Sequence, residues 1–113
     1  MDDAGFEEAV QQALDALPAE LRHAMSNVDV VIEQEAPPGE RLLGLYEGIP
    51  LTERGSTYGA VLPDKITLFR GPLQRASRGD EERLRAEIRR TVWHEIAHHF
   101  GIDDDRLVEL DRY

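Results

Sequence analysis

The sequence contains no cysteine, few aromatic residues and no long apolar run. The absence of cysteine excludes disulfide bonds and thiolate metal sites, so any metal would be held by histidine or carboxylate side chains. Without a long apolar run, no membrane-spanning helix is expected. The chemistry open to this chain therefore rests mainly on His, Asp and Glu.

Positive charge is also scarce, because 13 Lys and Arg residues stand against 23 Asp and Glu residues and the net charge is −10. Nucleic-acid binding calls for a basic patch, so we expect no nucleic-acid partner. An anionic membrane surface would repel the chain in the same way. Residues 1–8 lack the basic and apolar regions of a signal peptide, and the default expectation is a cytoplasmic protein.

The length of 113 residues is near the common domain size, and 41% hydrophobic residues are enough for one modest core. We therefore expect a single domain over residues 1–113. Apolar residues at helical spacing predict a first helix from Asp3 to Leu17, which Pro18 ends. A short helical turn is predicted over residues 19–25.

Runs of β-branched and apolar residues predict strands at 27–33, 42–46, 58–62 and 65–69. Pro63 and Asp64 separate the last two runs, and so short a connection predicts an antiparallel hairpin. Residues 71–79 contain glycine, proline and arginine, and we expect a flexible basic connector there.

A long helix is predicted after this connector. Asp80 is its expected N-cap, and acidic residues follow in the first turn, where the helix dipole favours them. Apolar side chains at helical spacing form the row expected to face the core, with Trp93 and Ala97 beside it: Ile88, Val92, Ile96 and Phe100.

The end of this helix carries the pattern H-E-x-x-H-x-x-G-x-x-D. His94 and His98 are four residues apart, so they lie one turn above the other on one helix face and can reach the same zinc ion. Glu95 can contact a metal-bound water as general base without being a ligand. The pattern predicts a zinc site with two ligands on the helix.

Gly101 is expected to end the helix in a left-handed conformation and let the chain turn back. Asp104 is then placed to supply a third ligand, although it could instead cap a short last helix over residues 105–111. His99 lies on another side of the long helix and should not bind the same metal. We expect it to be a surface group or a second-shell group.

The pattern resembles the zincin metallopeptidases, in the Asp variant of the metzincin-type signature. The short chain and the sequence His98-His99-Phe100-Gly101 resemble a minimal zincin-like family of small bacterial proteins. This resemblance implies an α+β fold in which a small mixed sheet packs on an N-terminal helix and on the long active-site helix, with a short C-terminal helix. It also implies a set of roles: zinc ligands His94, His98 and Asp104, and general base Glu95.

Zincins bind substrate as an added antiparallel strand at a sheet edge. The resemblance therefore implies a substrate edge strand at the first hairpin strand, which consists of Tyr58, Gly59, Ala60, Val61 and Leu62. Both methionines precede the motif, so the methionine turn of metzincins is absent, and we hypothesise that Tyr113 supports the site instead. Little chain follows the motif, so the substrate pockets would be shallow or completed by a second subunit, which leaves a homodimer open.

Two functions follow. The first is a zinc-dependent metallopeptidase that holds one Zn²⁺ ion and hydrolyses peptide bonds in a peptide or protein substrate through a metal-activated water. The second is a catalytically silent zincin-like domain that binds a peptide or protein partner. A purely structural zinc site is disfavoured, because closed structural sites have four ligands and three are evident here.

Overall fold

A computed structural model describes residues 1–25, 28–48 and 64–101. Its elements, in chain order, are α1 (Asp3–Asp15), α2 (Ala19–Ala24), β1 (Val28–Glu33), β2 (Gly44–Glu47), β3 (Asp64–Phe69), α3 (Arg70–Ser77) and α4 (Glu81–His99). The predicted α+β fold, with a small mixed sheet, an N-terminal helix and a long helix, is confirmed. The short C-terminal helix expected after the motif lies outside the described residues.

The sheet has the strand order β1-β3-β2. β1 runs parallel to β3, with Val30 opposite Ile66, whereas β2 runs antiparallel to β3, with Tyr46 opposite Ile66. The central strand β3 is buried at every position except Lys65. The strands predicted at 27–33, 42–46 and 65–69 are thus present with ends shifted by one or two residues, and the strand predicted at 58–62 lies outside the described residues.

The N-terminal helix begins at a side-chain cap, since the Asp2 carboxylate accepts a hydrogen bond of 2.8 Å from the Gly5 N–H. α1 ends at Asp15, two residues before the predicted end. A proline disfavours helical backbone at the residue before it, so Pro18 stops the helix ahead of Leu17 and then precedes α2.

The core lies between one face of the sheet and the helices α1, α3 and α4. Its largest fully buried apolar side chains are Phe6, Ile66, Leu68, Leu73, Ile88, Val92 and Ile96. The core-facing row predicted on the long helix is confirmed, with Phe100 only partly buried at its end. Among the described residues, no helix is long and apolar enough to cross a bilayer.

The segment predicted to be a flexible connector forms α3, so that prediction is wrong. Pro72 is compatible with a helix here because it lies in the first turn, where backbone N–H groups have no acceptor within the helix. Leu73 is fully buried and fixes the helix on the core. The helix ends where Arg78 (φ +54°) and Gly79 (φ +82°) adopt left-handed conformations.

An exposed ion pair joins α3 to the loop after β1. Arg75 donates hydrogen bonds of 2.7 Å and 3.1 Å to the two carboxylate oxygens of Glu35. These hydrogen bonds hold the pKa of the Glu35 carboxyl below its usual value. Because both side chains are open to solvent, we expect the pair to contribute little to stability.

α4 begins as predicted. The Asp80 carboxylate accepts a hydrogen bond of 3.1 Å from the Arg83 N–H, and Glu81 and Glu82 occupy the first turn. The helix packs against α1, α3, β2 and β3, which places its last two turns beside the sheet.

Candidate functional site

The H-E-x-x-H motif occupies the last two turns of α4, which ends at His99. Gly101 adopts the left-handed conformation predicted for it, with φ of +82°, and its N–H donates a hydrogen bond of 2.9 Å to the His98 carbonyl. A residue with a Cβ would be strained at this φ, so glycine suits the end of this helix.

His94 and His98 are neighbours on the helix surface, as their spacing predicts. Their ring centroids are 4.7 Å apart and their planes are inclined by 48°. The side chains are 27% and 31% exposed, respectively. Both imidazoles therefore lie at the protein surface, where a small molecule or an ion can reach them.

Glu95 lies between the two imidazoles but is nearly buried, with 8% of its side chain exposed. Its Oε2 is 4.0 Å from His94 Nε2, and its Oε1 is 3.8 Å from His98 Nδ1. These distances exceed hydrogen-bond length, so the carboxylate is adjacent to both rings without being hydrogen-bonded to those nitrogens. The three motif side chains converge on one small region.

Strand β2 approaches this region closely at Gly44. A methyl group on Gly44 would lie 2.6 Å from Thr91 Cγ2 and 3.3 Å from Glu95 Cγ. Only glycine allows the strand to lie this near to α4 without a shift. Between them is a cleft of about 280 Å³, lined by residues 41–44 and by Arg90, Thr91, His94 and Glu95.

Two of the side chains present, His94 and His98, can each supply one ligand to a zinc ion. Imidazole nitrogen is a common zinc ligand, and two histidines on adjacent helical turns, with a non-ligand glutamate after the first, form the helical part of a catalytic zinc site. Within the described residues, no group of three His, Asp or Glu side chains is arranged to hold a metal. The predicted third ligand, Asp104, lies outside them, as do Tyr113 and the edge strand at 58–62, so these stay predictions.

From the sequence, His99 was predicted to be either a surface group or a second-shell group. The first of these two alternatives is wrong. His99 is 0% exposed, and its Nδ1 is 2.7 Å from Asp64 Oδ2 at the start of β3. Since a carboxylate can only accept, Nδ1–H is the donor. The Tyr46 hydroxyl donates to the same oxygen at 2.8 Å. Asp64 and Tyr46 had no predicted role.

A sequence signal for the burial of His99 did exist. His99 follows the buried Val92 by seven residues, and this spacing returns a side chain to the same face of a helix. The partner could not be inferred, because Asp64 is 35 residues away in the chain and no local pattern pairs them.

Comparisons with known proteins agree with these features. A family model described as zincin-like metallopeptidase matches residues 21–113. Among solved structures, a conserved hypothetical protein from Thermo thermophilus is similar, with a TM-score of 0.62 and 25% sequence identity over 88% of this chain and 94% of that chain. No curated protein matches. The shared fold therefore extends over most of both chains.

Proposed function

Because this chain belongs to the zincin-like metallopeptidase family, we propose that it is a zinc-dependent peptidase that hydrolyses peptide bonds in peptide or protein substrates. The observation that carries this proposal is the convergence of His94, Glu95 and His98 beside an open cleft. In the proposal, residues 1–113 form one catalytic domain.

Each motif residue has a role in this proposal. His94 and His98 hold the metal through ring nitrogens, and Asp104 is the proposed third ligand. When bound, zinc would act as a Lewis acid: it would make water a nucleophile at neutral pH and polarise the scissile carbonyl. Glu95 accepts the water's proton on a carboxylate oxygen and delivers it to the leaving amine.

The position of Glu95 supports its role as general base. The Glu95 Cγ lies against strand β2 at Gly44 and the side chain is only 8% exposed, so the carboxylate has little freedom to move away from the two rings. A proton acceptor that is already in place needs no reorganisation when the reaction occurs. Residues 58–62 are the proposed docking strand for the substrate backbone. Gly101 and Tyr113 are the proposed structural supports of the metal site.

Metal binding is the first test. Calorimetry on metal-free protein should show saturable binding of one Zn²⁺ ion, and His98→Ala should weaken it at least 100-fold because one of three ligands is lost. His23→Ala is the matched control, since His23 is an exposed histidine on α2 and is not part of the motif. Absence of binding by the native protein would contradict the proposal.

Turnover is the second test. With zinc bound and a library of quenched fluorescent peptides, Glu95→Gln should lower turnover by about 10²–10⁴-fold, the usual contribution of a general base. Its zinc affinity should change little. Glu87→Gln, a substitution two turns earlier on the same helix, is the control and should keep full activity. Equal turnover by Glu95→Gln and native protein would contradict the assigned role. Zinc binding without any peptide turnover would instead favour a peptide-binding domain.

A further inference from the structure

We infer that Tyr46, Asp64 and His99 form a buried network that positions the last turn of α4 and thereby holds the motif side chains in place. These three residues are called the positioning network below. The inference rests on the proposed function, because it assigns supporting residues to the same site. The three residues belong to β2, β3 and α4, so the network ties the helix that carries the motif to two neighbouring strands of the sheet.

The network is fixed by short hydrogen bonds in a buried environment. Asp64 Oδ2 accepts from His99 Nδ1–H at 2.7 Å and from the Tyr46 hydroxyl at 2.8 Å. Asp64 is 1% exposed and His99 is 0% exposed. Hydrogen bonds to a charged acceptor are among the strong ones, and low local dielectric strengthens them further.

The packing around the carboxylate is equally close. A methyl group on Gly48 would lie 2.5 Å from Asp64 Oδ1, so the backbone of Gly48 covers that side of Asp64. The Tyr46 ring meets the His99 ring edge-on, with centroids 6.0 Å apart. Among the described residues, His99 Nε2 has no hydrogen-bond partner, so the orientation of the ring is set through Nδ1.

The last turn of α4 is where such a tie has an effect. The final carbonyl groups of a helix lack partners within the helix, and helix ends fray. His98 lies in this turn, directly before His99, and the helix ends just before Gly101, which has a φ of +82°. Fraying would move His98 away from His94, and the hydrogen bond from His99 to the central strand opposes it.

Strand β2 also contacts α4 at a second point, before the last turn of the helix. Gly44 lies against Thr91 and Glu95, two residues before Tyr46 reaches Asp64. Because alternate residues of a strand face the same side, both contacts come from one face of β2. The strand therefore sets the position of the general base and, through Asp64, the position of the helix end.

Stability alone does not account for the network. A buried ion pair or polar triad contributes little to net stability, and well-packed apolar residues of similar volume are often as stable or more so. What apolar residues do not provide is a directional hydrogen bond that fixes one rotamer of His99. The network is therefore better explained by positioning.

The test compares Asp64→Ala, Asp64→Asn and native protein by amide hydrogen exchange of the metal-free chain and by zinc affinity in a chelator competition. Asp64→Ala should speed exchange in residues 98–101 at least 10-fold more than in residues 88–92. It should also weaken zinc binding by about 10–100-fold, the usual effect of losing a residue that orients a ligand. Asp64→Asn should restore most of the slow exchange and most of the zinc affinity, since the Asn Oδ1 can accept hydrogen bonds from His99 Nδ1–H and from the Tyr46 hydroxyl.

Ser77→Ala is the matched control, because the Ser77 hydroxyl is buried on α3 and donates to the Gln74 carbonyl at 2.8 Å. It should lower the melting temperature without changing exchange at the end of α4 or zinc affinity. If Asp64→Ala behaves like Ser77→Ala, or exchanges equally fast in both segments, the network is only structural and the inference is overturned.

Tyr46→Phe covers the case in which Asp64→Ala does not fold, since it removes only the hydroxyl. A few-fold selective rise in exchange at residues 98–101 supports the inference, and an unchanged pattern overturns it. The exchange measurement needs no metal, so it decides the inference even if the native chain binds no zinc. Absence of zinc binding would overturn the proposed function alone.

Discussion

The two halves of α4 bury different kinds of side chain. Before Thr91, the buried residues are Leu84 and Ile88 and the charged residues are mostly exposed, as in an ordinary amphipathic helix. From Thr91 onward, three polar side chains are buried beside the apolar row: Thr91, Glu95 and His99. Burying polar groups lowers stability unless they are well paired. Both halves thus contribute apolar side chains to the core, and the second half also buries the polar side chains around the candidate site, at some expense of stability.

Ile88→Ala tests the role of the first half and should have the largest effect on stability. Ile88 is fully buried, and truncation of such a side chain costs about 2–5 kcal/mol through lost burial and a cavity. Urea unfolding followed by circular dichroism measures the loss. Zinc affinity, measured where the variant is still folded, should be native. An affinity loss like that of His98→Ala would show that the halves are not separate.

Gly44→Ala tests the contact between the second half and β2. The added methyl group would overlap Thr91 Cγ2, and overpacking of this kind costs about 1–3 kcal/mol. We also expect lower turnover, because β2 would be displaced from Glu95. Adding Thr91→Ser removes the overlapping methyl group, so the double variant should regain part of the lost stability and part of the lost turnover. If Thr91→Ser does not help, the strand is not held by this contact.

Asp80→Ala should lower stability by about 1 kcal/mol, because the first turn of α4 loses its cap. His94 is fourteen residues further along the helix, or about 20 Å at the usual rise per residue, so zinc binding should not change. Asp80→Ser keeps a capping oxygen and should be near native by thermal melting. A loss of zinc affinity in Asp80→Ala alone would mean that the halves are coupled.

Glu95→Gln should have the smallest effect on stability and the opposite sign. A nearly buried carboxylate loses hydration, whereas an amide of the same shape loses less. At pH 8, where an ordinary histidine is neutral, we expect metal-free Glu95→Gln to be as stable as native protein or more stable by up to about 1 kcal/mol, in line with the trade-off between activity and stability. A clear loss of stability in the same urea titration would show that the Glu95 carboxylate itself stabilises the fold.

Local patterns in the sequence predicted most elements. Apolar spacing placed α1 and the buried row of α4, β-branched runs placed β1 and β3, and Asp80 marked a helix start. These predictions succeeded because a few neighbouring residues decide each feature. α3 was missed because Gly71 and Pro72 are usually helix breakers, and only the burial of Leu73 against distant residues favours the helix.

The candidate site also contains residues that a local pattern predicted and residues that it did not. His94, Glu95, His98 and Gly101 are positions of one short motif, and helix geometry alone brings the first three together. Asp64 and Tyr46 reach His99 only because β2 and β3 are neighbours in the sheet. That pairing depends on register between segments far apart in the chain, which a single sequence does not encode in any local pattern.

The parallel pairing of β1 with β3 has a consequence for how the protein folds. Val28 pairs with Asp64, so the pairing of β1 with β3 forms only after a loop of more than thirty residues has closed. Such long-range closure slows folding more than it lowers stability. Helix α4 can begin to form from local contacts, but Glu95 meets Gly44 of β2 and His99 meets Asp64 of β3 only when segments far apart in the chain come together. The H-E-x-x-H segment can therefore become helical before the candidate site is complete, and the proposed peptidase activity should appear with the slowest folding phase.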